Sequence, residues 1–517
     1  MRTATLILLL SLPVTANEWP FGSRGFGGTK LDLYNLGLIG AKARDEASPK
    51  VDPNTPPKMG RRHVQMTRPA NDHGPDRLAV EVLFPGGPAE KAGLKIDDVI
   101  VGVNGRKFSK GSLAAIAKAL LKAEAGKGEV SLSVQRGGKG RTQKIVVKIP
   151  VAGKFASKPT HGEGREALIR GALKWLADHQ RSDGGYRESL SGSNGAVVQV
   201  SIAGLAWIGG GSTLRSGPHR DNLRRAAEFV VATMPNLGSM GGGRGGANWN
   251  QANWGLAHGC MFLGELLLRA PEGAVATGQS MPIGPSFKQA LHDAAKKLAA
   301  NQEQSGGWAH GPGGKNALDY LELNIVTGLA LCGLGLAEQN GFKIPDGVIE
   351  KAGDYLKASS GGDGGVGYST SPGQKGQGNI GRSGSAWLGY LALHRKKAGW
   401  AQKMGNYVAR NSDKALGGHA SLMQHILFAG VASAAAGNGA VKKFWRAMER
   451  DLVLARSPDG SFQPRPWHES LAMGSNSDVG VGDVWTTGAW ACVLVAPPTS
   501  DGKRGFRGLF GLEITNG

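Results

Sequence analysis

Cysteine is scarce in this chain of 517 residues, which holds only Cys260, Cys332 and Cys492. No Cys-x-x-Cys pair occurs, and this argues against a zinc ribbon or a thioredoxin-like redox site. Each cysteine lies in a stretch rich in Ala, Gly and Leu, the composition of a buried helix face. We therefore expect three buried free thiols and no disulfide.

Long apolar runs are also lacking, and no stretch is long enough to span a bilayer as a helix. The N-terminus has Arg2, then the apolar stretch Ala4–Leu12 and the small residues of Val14–Ala16. This is the pattern of a secretory signal. We predict a signal peptide at 1–16, a flexible segment at 17–29, and export to the periplasm, cell envelope or extracellular space.

Acidic residues are outnumbered, 40 against 61 Lys and Arg, which gives a net charge of +21. In an exported protein this charge favours an anionic polysaccharide or another cell-envelope component as partner, and we expect no nucleic acid. The basic residues are scattered along the chain, as is typical of a solvated surface.

Glycine is abundant, and it marks a repeated turn. A Gly-Gly-aromatic phrase recurs at intervals of roughly 40–65 residues, the period of stacked helical pairs. Each phrase follows an amphipathic helical pattern and precedes a stretch of small and apolar residues, which predicts an outer and a buried inner helix. The phrases are S-D-G-G-Y at 182–186, a looser G-G-G-R-G-G-A-N-W at 241–249, Q-S-G-G-W at 304–308, D-G-G-V-G-Y at 363–368, G-G-H at 417–419 and P-D-G-S-F at 458–462.

The turns at 180–186 and 302–308 resemble the repeat motif of squalene cyclases and protein prenyltransferases. The resemblance implies an all-α (α/α)6 toroid, which we place at 165–496, with a linker at 151–164 and a C-terminal tail at 497–517. It brings no catalytic residue with it. The cyclase Asp-x-Asp-Asp run is missing, the zinc-binding Asp-x-Cys pair is missing because Ala330 stands before Cys332, and the thioester Cys-Gly-Glu-Gln motif is missing too. We predict no metal and no cofactor.

Residues 85–105, P-G-G-P-A-E-K-A-G-L-K-I-D-D-V-I-V-G-V-N-G, resemble the core signature of bacterial PDZ domains. We therefore predict a multidomain protein, with a small α+β PDZ-like domain at 30–150 in front of the toroid. The resemblance implies a protein C-terminus or extended peptide as partner. A Pro-rich insertion at 45–77 either covers the groove or leaves it open. The peptide-binding residues implied are Gly37, Leu38, Ile39, Gly40 and Leu113.

In a toroid, the turns before the inner helices gather at one mouth, where helix N-termini favour anions. Polar and aromatic residues at these repeat positions are the ligand candidates. The acids serve equally well as helix caps, and the histidines and tryptophans as core residues. The candidates are Gln199, Trp249, Asn253, Trp254, His258, Asp319, Tyr320, Glu322, Arg382, His419, Asp483 and Trp485.

The leading hypothesis is an exported binding or scaffold protein. Its PDZ-like domain docks a protein segment, and its toroid mouth binds an acidic or sugar-like ligand. One alternative is a polysaccharide lyase or hydrolase, with a His or Tyr base and Arg382 neutralising the substrate. Another is a toroid that binds an isoprenoid or lipid without catalysis. The sequence leaves enzymatic activity undecided.

Overall fold

The computed structural model describes residues 33–47, 73–187, 192–240, 249–269, 283–312, 322–395, 399–418, 421–464, 478 and 481–497. The predicted signal peptide, most of the 45–77 insertion and nearly all of the C-terminal tail lie outside these ranges. The described residues form two packed units, which we call the sheet unit and the helical ring. None of the described helices is long and apolar enough to cross a membrane.

The sheet unit is an antiparallel sheet with one long helix against it. The strand order is β1-β2-β3-β4-β6-β7, and β5 pairs with β4. Alternation places every second residue of β6 in the core, as expected for a half-buried strand. The elements are β1 (Tyr34–Asn35), β2 (Ala41–Asp45), β3 (Leu78–Leu83), α1 (Pro88–Lys91), β4 (Val99–Val103), β5 (Arg106–Lys107), α2 (Leu113–Ala125), β6 (Glu129–Gln135) and β7 (Gln143–Lys148).

The helical ring consists of helical pairs, each with an amphipathic outer and a buried inner helix. The outer helices are α3 (Gly162–Asp178), α5 (Arg220–Thr233), α7 (Ile283–Ala300), α9 (Val348–Ser359), α11 (Gly399–Asn411) and α13 (Asn438–Ala455). The inner helices are α4 (Gly192–Gly209), α6 (Ala252–Leu268), α8 (Asn324–Gln339), α10 (Ile380–Ala392), α12 (Leu422–Ala435) and α14 (Asp483–Val495). Two short strands, β8 (Ser239–Met240) and β9 (Trp249–Asn250), pair in front of α6.

The inner helices close into a ring. Each packs against the next, and α14 packs against both α12 and α4. Glycines allow this close approach. A side chain at Gly204 would overlap the ring of Phe262 on the neighbouring helix, and one at Gly488 would overlap Ile202. The predicted fold class, a small α+β unit followed by an (α/α)6 toroid, is confirmed.

The repeated turn has a structural explanation. Gly306 has φ +95°, and a β-carbon there would overlap the carbonyl oxygen of Lys351 on the next outer helix. The aromatic residue that ends the turn points into the core: Trp308 Nε1 donates to the carbonyl of Leu298 at 2.7 Å. Tyr186 makes the equivalent bond, again to the residue ten positions earlier. The motif therefore fixes each turn to its own outer helix and to the next one.

The two units share a buried surface, which we call the seam. It joins residues 453–464, the end of α13 and the turn after it, to the sheet unit. Val453 and Leu454 lie in the same apolar cluster as Ile39 and Leu120. This contact is apolar and continuous with the sheet unit's core. The two units are therefore joined by a packed surface as well as by the predicted linker at 151–164.

Candidate functional site

Asparagines orient the inner helices at one mouth of the ring. Each lies at the start of an inner helix and donates through Nδ2 to a backbone carbonyl in the next repeat. Because each bond links two repeats, together they hold the mouth in one arrangement. Only Asn253 was among the candidates, although an Asn in the first turn of successive inner helices is visible in the sequence. The bonds are Asn194 to Gly238 (3.1 Å), Asn253 to Ala309 (2.9 Å), Asn324 to Gly367 (2.9 Å) and Asn379 to Gly417 (2.8 Å).

Asp478 anchors the chain across this mouth. Its buried carboxylate accepts from the backbone N–H of Met423 and from Trp485 Nε1, both at 2.9 Å, and from the hydroxyl of Ser421. Burial raises the pKa of Asp478, and these hydrogen bonds oppose the shift. Further along, Gln199 Nε2 on α4 donates to the carbonyl of Val481. Asp478 and Val481 thus connect α12 to α4 ahead of α14, which begins at Asp483.

His258 is the most informative side chain in the ring. It is fully buried on α6, and its Nδ1 lies 2.9 Å from the carbonyl oxygen of Trp254. Because a carbonyl only accepts, Nδ1 carries the proton and Nε2 presents a lone pair. Nε2 has no hydrogen-bond partner among the described residues. Burial lowers the pKa of His258 to about 4, so the ring is neutral near pH 7.

Trp485 meets His258 across the ring. The two side chains come from α14 and α6, and α4 separates those helices in the ring order. Their ring centroids are 5.9 Å apart in an edge-to-face arrangement. The indole therefore lies beside the His258 imidazole, and both rings are buried.

Other buried polar atoms of the inner helices are unpaired as well. Buried polar groups nearly always have a partner, so each such atom requires an explanation. The set offers acceptors, hydroxyls and one amide donor, and none of its members is charged at pH 7. They are Asn194 Oδ1, Gln199 Oε1 and Ser201 Oγ on α4, Asn324 Oδ1 on α8, Gln424 Nε2 on α12 and Thr486 Oγ1 on α14.

Arg382 was predicted to face the mouth and bind an anion, and in the structure its guanidinium donates to backbone carbonyls. The residue is only 6% exposed. Its Nε donates to the carbonyl of Val366 at 3.3 Å and its Nη2 to that of Gln377 at 3.0 Å. Burial lowers the pKa of Arg382 to about 10. The side chain therefore supports the turn of its own repeat.

The remaining mouth candidates lie in different surroundings. Trp254, half-buried, donates from Nε1 to His310 Nδ1 at 2.7 Å. Glu322 accepts from Ser305 at 2.5 Å and so belongs to a Gly-Gly turn. Trp249 lies in β9. Asp319, Tyr320 and His419 lie outside the described residues.

Asp483 begins α14 and faces the sheet unit. Burial raises the pKa of Asp483 to about 6, and the charge of Lys42 and a hydrogen bond from Gln463 oppose this shift. Lys42 lies on β2, and burial lowers its pKa to about 8. The structure thus brings Asp483 together with a lysine that the sequence analysis did not single out.

The predicted peptide site is covered. Gly37, Leu38, Ile39 and Leu113 are buried, and Gly37 lies against Leu120 and the carbonyl of Val453. Gly40 lies against the ring of Pro458. The strand edge of β2 that faces away from β3 is paired with β1, Tyr34 opposite Ala43 and Asn35 opposite Lys42. Strand addition needs a free strand edge. This edge of β2 is paired with β1, and the seam covers the loop beside it.

Metal binding has no support within the described ranges, where no three His, Cys, Asp or Glu side chains gather into a ligand group. The three cysteines are buried and free, as predicted. Burial raises the pKa of Cys260 to about 12, so the thiol stays protonated and unreactive.

Comparison with known proteins adds three findings. Residues 80–136 match the PDZ domain, and no curated protein matches the sequence. A protein from Actinoplanes is similar in structure, with a TM-score of 0.37 and 14% identity over 64% of this chain and 99% of that one. The type II terpene cyclase MstE from Scytonema has a TM-score of 0.37 and 11% identity over 64% and 97%. Residues 217–494, more than half of the chain, match the domain of unknown function DUF6288, and the chain belongs to this family.

Proposed function

We propose that this is an exported binding protein whose helical ring holds a neutral, hydroxyl-rich ligand, of the carbohydrate class, between α4, α6 and α14. The observation that carries the proposal is the unpaired Nε2 of His258, fully buried beside the Trp485 indole. Leaving a polar atom buried and unpaired costs about 1–3 kcal/mol, so each such atom implies a compensating partner.

The chemistry of the unpaired atoms selects the ligand class. His258 Nε2 and Gln199 Oε1 accept hydrogen bonds, while Ser201 and Thr486 can both donate and accept. Sugar hydroxyls have the same dual character, and an indole such as that of Trp485 offers an apolar surface to a sugar ring. A ligand of this kind can donate to the acceptors and exchange hydrogen bonds with the hydroxyls.

An acidic ligand is less well matched than a neutral one. The guanidinium of Arg382 donates to backbone carbonyls, and neutral His258 presents a lone pair that repels an anion. The lyase alternative needs a base near neutral pH and a cation, whereas the pKa of His258 is about 4. The lipid alternative would place hydrocarbon against unpaired polar atoms. Both alternatives become outcomes of the binding test.

Two adjacent threonines of α14 provide a matched test. Thr486 Oγ1 is buried and unpaired, while Thr487 Oγ1 accepts the N–H of Phe462 at 2.9 Å. Valine has nearly the shape of threonine without the hydroxyl. We expect Thr486→Val to keep or raise the melting temperature, because it removes an unpaired group. Thr487→Val should destabilise the protein by about 1–3 kcal/mol, because it leaves the buried Phe462 N–H without an acceptor.

Binding is measured with a panel of neutral oligosaccharides, a uronic acid oligosaccharide and a C20 isoprenoid alcohol. We expect a neutral oligosaccharide to bind, and Thr486→Val combined with Ser201→Ala to weaken it about tenfold, the effect of losing about 1.4 kcal/mol. Binding of only the isoprenoid would support the lipid alternative. Binding of only the uronic acid, or a Thr486→Val protein as destabilised as Thr487→Val, would reject the proposal.

A further inference from the structure

The ring has one junction where the chain is not continuous, between its last and first repeats. At consecutive repeats the turn glycine abuts the next outer helix: a β-carbon at Gly184 or Gly364 would overlap the carbonyl of Arg225 or Lys403. At the last turn, Gly460 has the same left-handed φ, but a β-carbon there would come no nearer to another side chain or carbonyl than 3.8 Å, to Trp175. At the level of the turns, this junction between the last and first repeats is therefore packed less tightly than those at Gly184, Gly306 and Gly364.

The sheet unit lies against both sides of this junction. A 3-10 turn in the linker, Lys154–Ser157, packs on α2 and on α3, the first outer helix. On the other side, α2 packs on α13, the last outer helix. One small unit thus contacts the two ends of the repeat array.

Buried polar bonds fix the seam. Arg456, in the last turn, donates to the carboxylate of Glu124 on α2, and both side chains are buried. Asn35 Nδ2 donates to the carbonyl of Pro464 at 2.7 Å. Such buried, directional contacts allow one docking geometry, since any other leaves a charge unpaired.

A chain of side chains leads from the seam to α14. Lys42 Nζ donates to Gln463 Oε1 at 3.1 Å. Gln463 also hydrogen-bonds the carboxylate of Asp483, the first residue of α14. Two and three residues further on are Trp485 and Thr486, the side chains placed at the ring interior above.

We infer that the sheet unit holds the ring closed, that its docking partner is the chain's own segment 453–464, and that Lys42 is a positioning residue for the start of α14. None of these roles rests on the proposed function, because all of them concern the protein without ligand.

The charges around Lys42 set the expected cost of removing it. Asp483 faces Lys42, and Asp459 and His179 act on Asp483 from the last turn and from α3. Without Lys42, the partly buried Asp483 loses its nearest positive charge. An uncompensated buried charge is strongly unfavourable, so the start of α14 should loosen.

Hydrogen exchange of the full-length protein tests this. We expect Lys42→Met to make the amides of 460–463 and 484–487 exchange about tenfold faster, through local opening of the closure. The control is Lys107→Met, on the exposed strand β5 of the same unit, which should change neither segment. Faster exchange confined to 41–45 and 113–125 would overturn the inference, because docking would then have no effect on the ring.

A second variant separates positioning from a general loss of folding. Lys42→Met with Asp483→Asn removes both charges, and we expect it to restore slow exchange at 484–487. If Lys42→Met unfolds the protein, the double variant should fold again. Failure of the double variant to restore exchange would reject the role of the Lys42–Gln463–Asp483 chain. Absence of sugar binding would reject the proposed function and leave these exchange results unaffected.

Discussion

Buried polar atoms in this ring differ in whether they have a partner, and side chains such as those of Gln199 and Asn324 hold one atom of each kind. Asn253 and Thr487 are buried and bonded to backbone groups, so they hold the fold. His258 and Thr486 are as deeply buried, but each has an unpaired atom. The sequence predicted Asn253 and His258 as polar residues at these repeat positions and named neither threonine. It did not predict the distinction, because this depends on which way each side chain turns inside the ring.

Arg382 illustrates the same limit and leads to a stability prediction. Its repeat position indicated the mouth, whereas the structure has it bonded to the carbonyls of Val366 and Gln377. We expect Arg382→Ala to lower the free energy of unfolding by about 3 kcal/mol, as for other losses in buried hydrogen-bond networks. Urea unfolding measures this change.

The control for Arg382 is Arg410→Ala. Arg410 donates to the carbonyl of Asp363 in the same turn, but from an exposed position. We expect a change below about 0.5 kcal/mol there. Equal effects of the two substitutions would contradict the structural role of Arg382.

Helices and turns were the best predicted level of this structure. The Gly-Gly-aromatic phrase predicted the helical pairs, and all-round apolar patterns such as that of Ile325–Leu336 predicted buried inner helices. Both signals are local, so one sequence is enough to read them. The bonds from Asn194 and Asn324 to the next repeat are not local, since the acceptor lies more than 40 residues away in each case.

Two glycine substitutions test the explanation of the turn. Gly306 has φ +95° and no room beside the Lys351 carbonyl, so we expect Gly306→Ala to destabilise the protein by more than about 2 kcal/mol. Gly439, in the first turn of α13, has no atom within 4 Å of the position that an alanine methyl group would take. Gly439→Ala should be neutral or stabilise by about 0.5–1 kcal/mol, as helix propensity predicts. The test compares the melting temperatures of the two variants. Similar melting temperatures would refute the steric explanation.

The arrangement of the whole molecule was predicted in part. The composition change near 151–164 indicated two units, and the fold class of each is confirmed. The seam could not be read from the sequence, because its contacts join residues 332 to 429 positions apart, such as Glu124 with Arg456 and Asn35 with Pro464. A single sequence contains no signal for such distant pairs. Lys42 was not singled out because the basic residues are scattered along the chain and were all interpreted as solvated.

The pH dependence of stability follows from buried groups of the helical ring. Burial lowers the pKa of His258 and of His310 to about 4, from 6.5 in the unfolded chain. Between pH 4 and pH 6.5 the unfolded state binds protons that the folded state does not bind. The free energy of unfolding therefore decreases as the pH falls from 6.5 towards 4. Each histidine contributes a slope of up to about 1.4 kcal/mol per pH unit.

Asp483 acts in the opposite direction. Its pKa is about 6 in the folded protein and 3.8 in the unfolded chain, so the folded state binds the extra proton and gains stability as the pH falls from 6 to 4. We therefore expect His258→Gln to flatten the loss of melting temperature between pH 7 and pH 4.5, and Asp483→Asn to steepen it. His394→Asn, an exposed histidine at φ +52°, which Asn tolerates, should leave the slope unchanged. Slopes that move together in the His258 and Asp483 variants would contradict the opposite protonation of the two groups, because a loss of packing alone shifts the melting temperature equally at every pH.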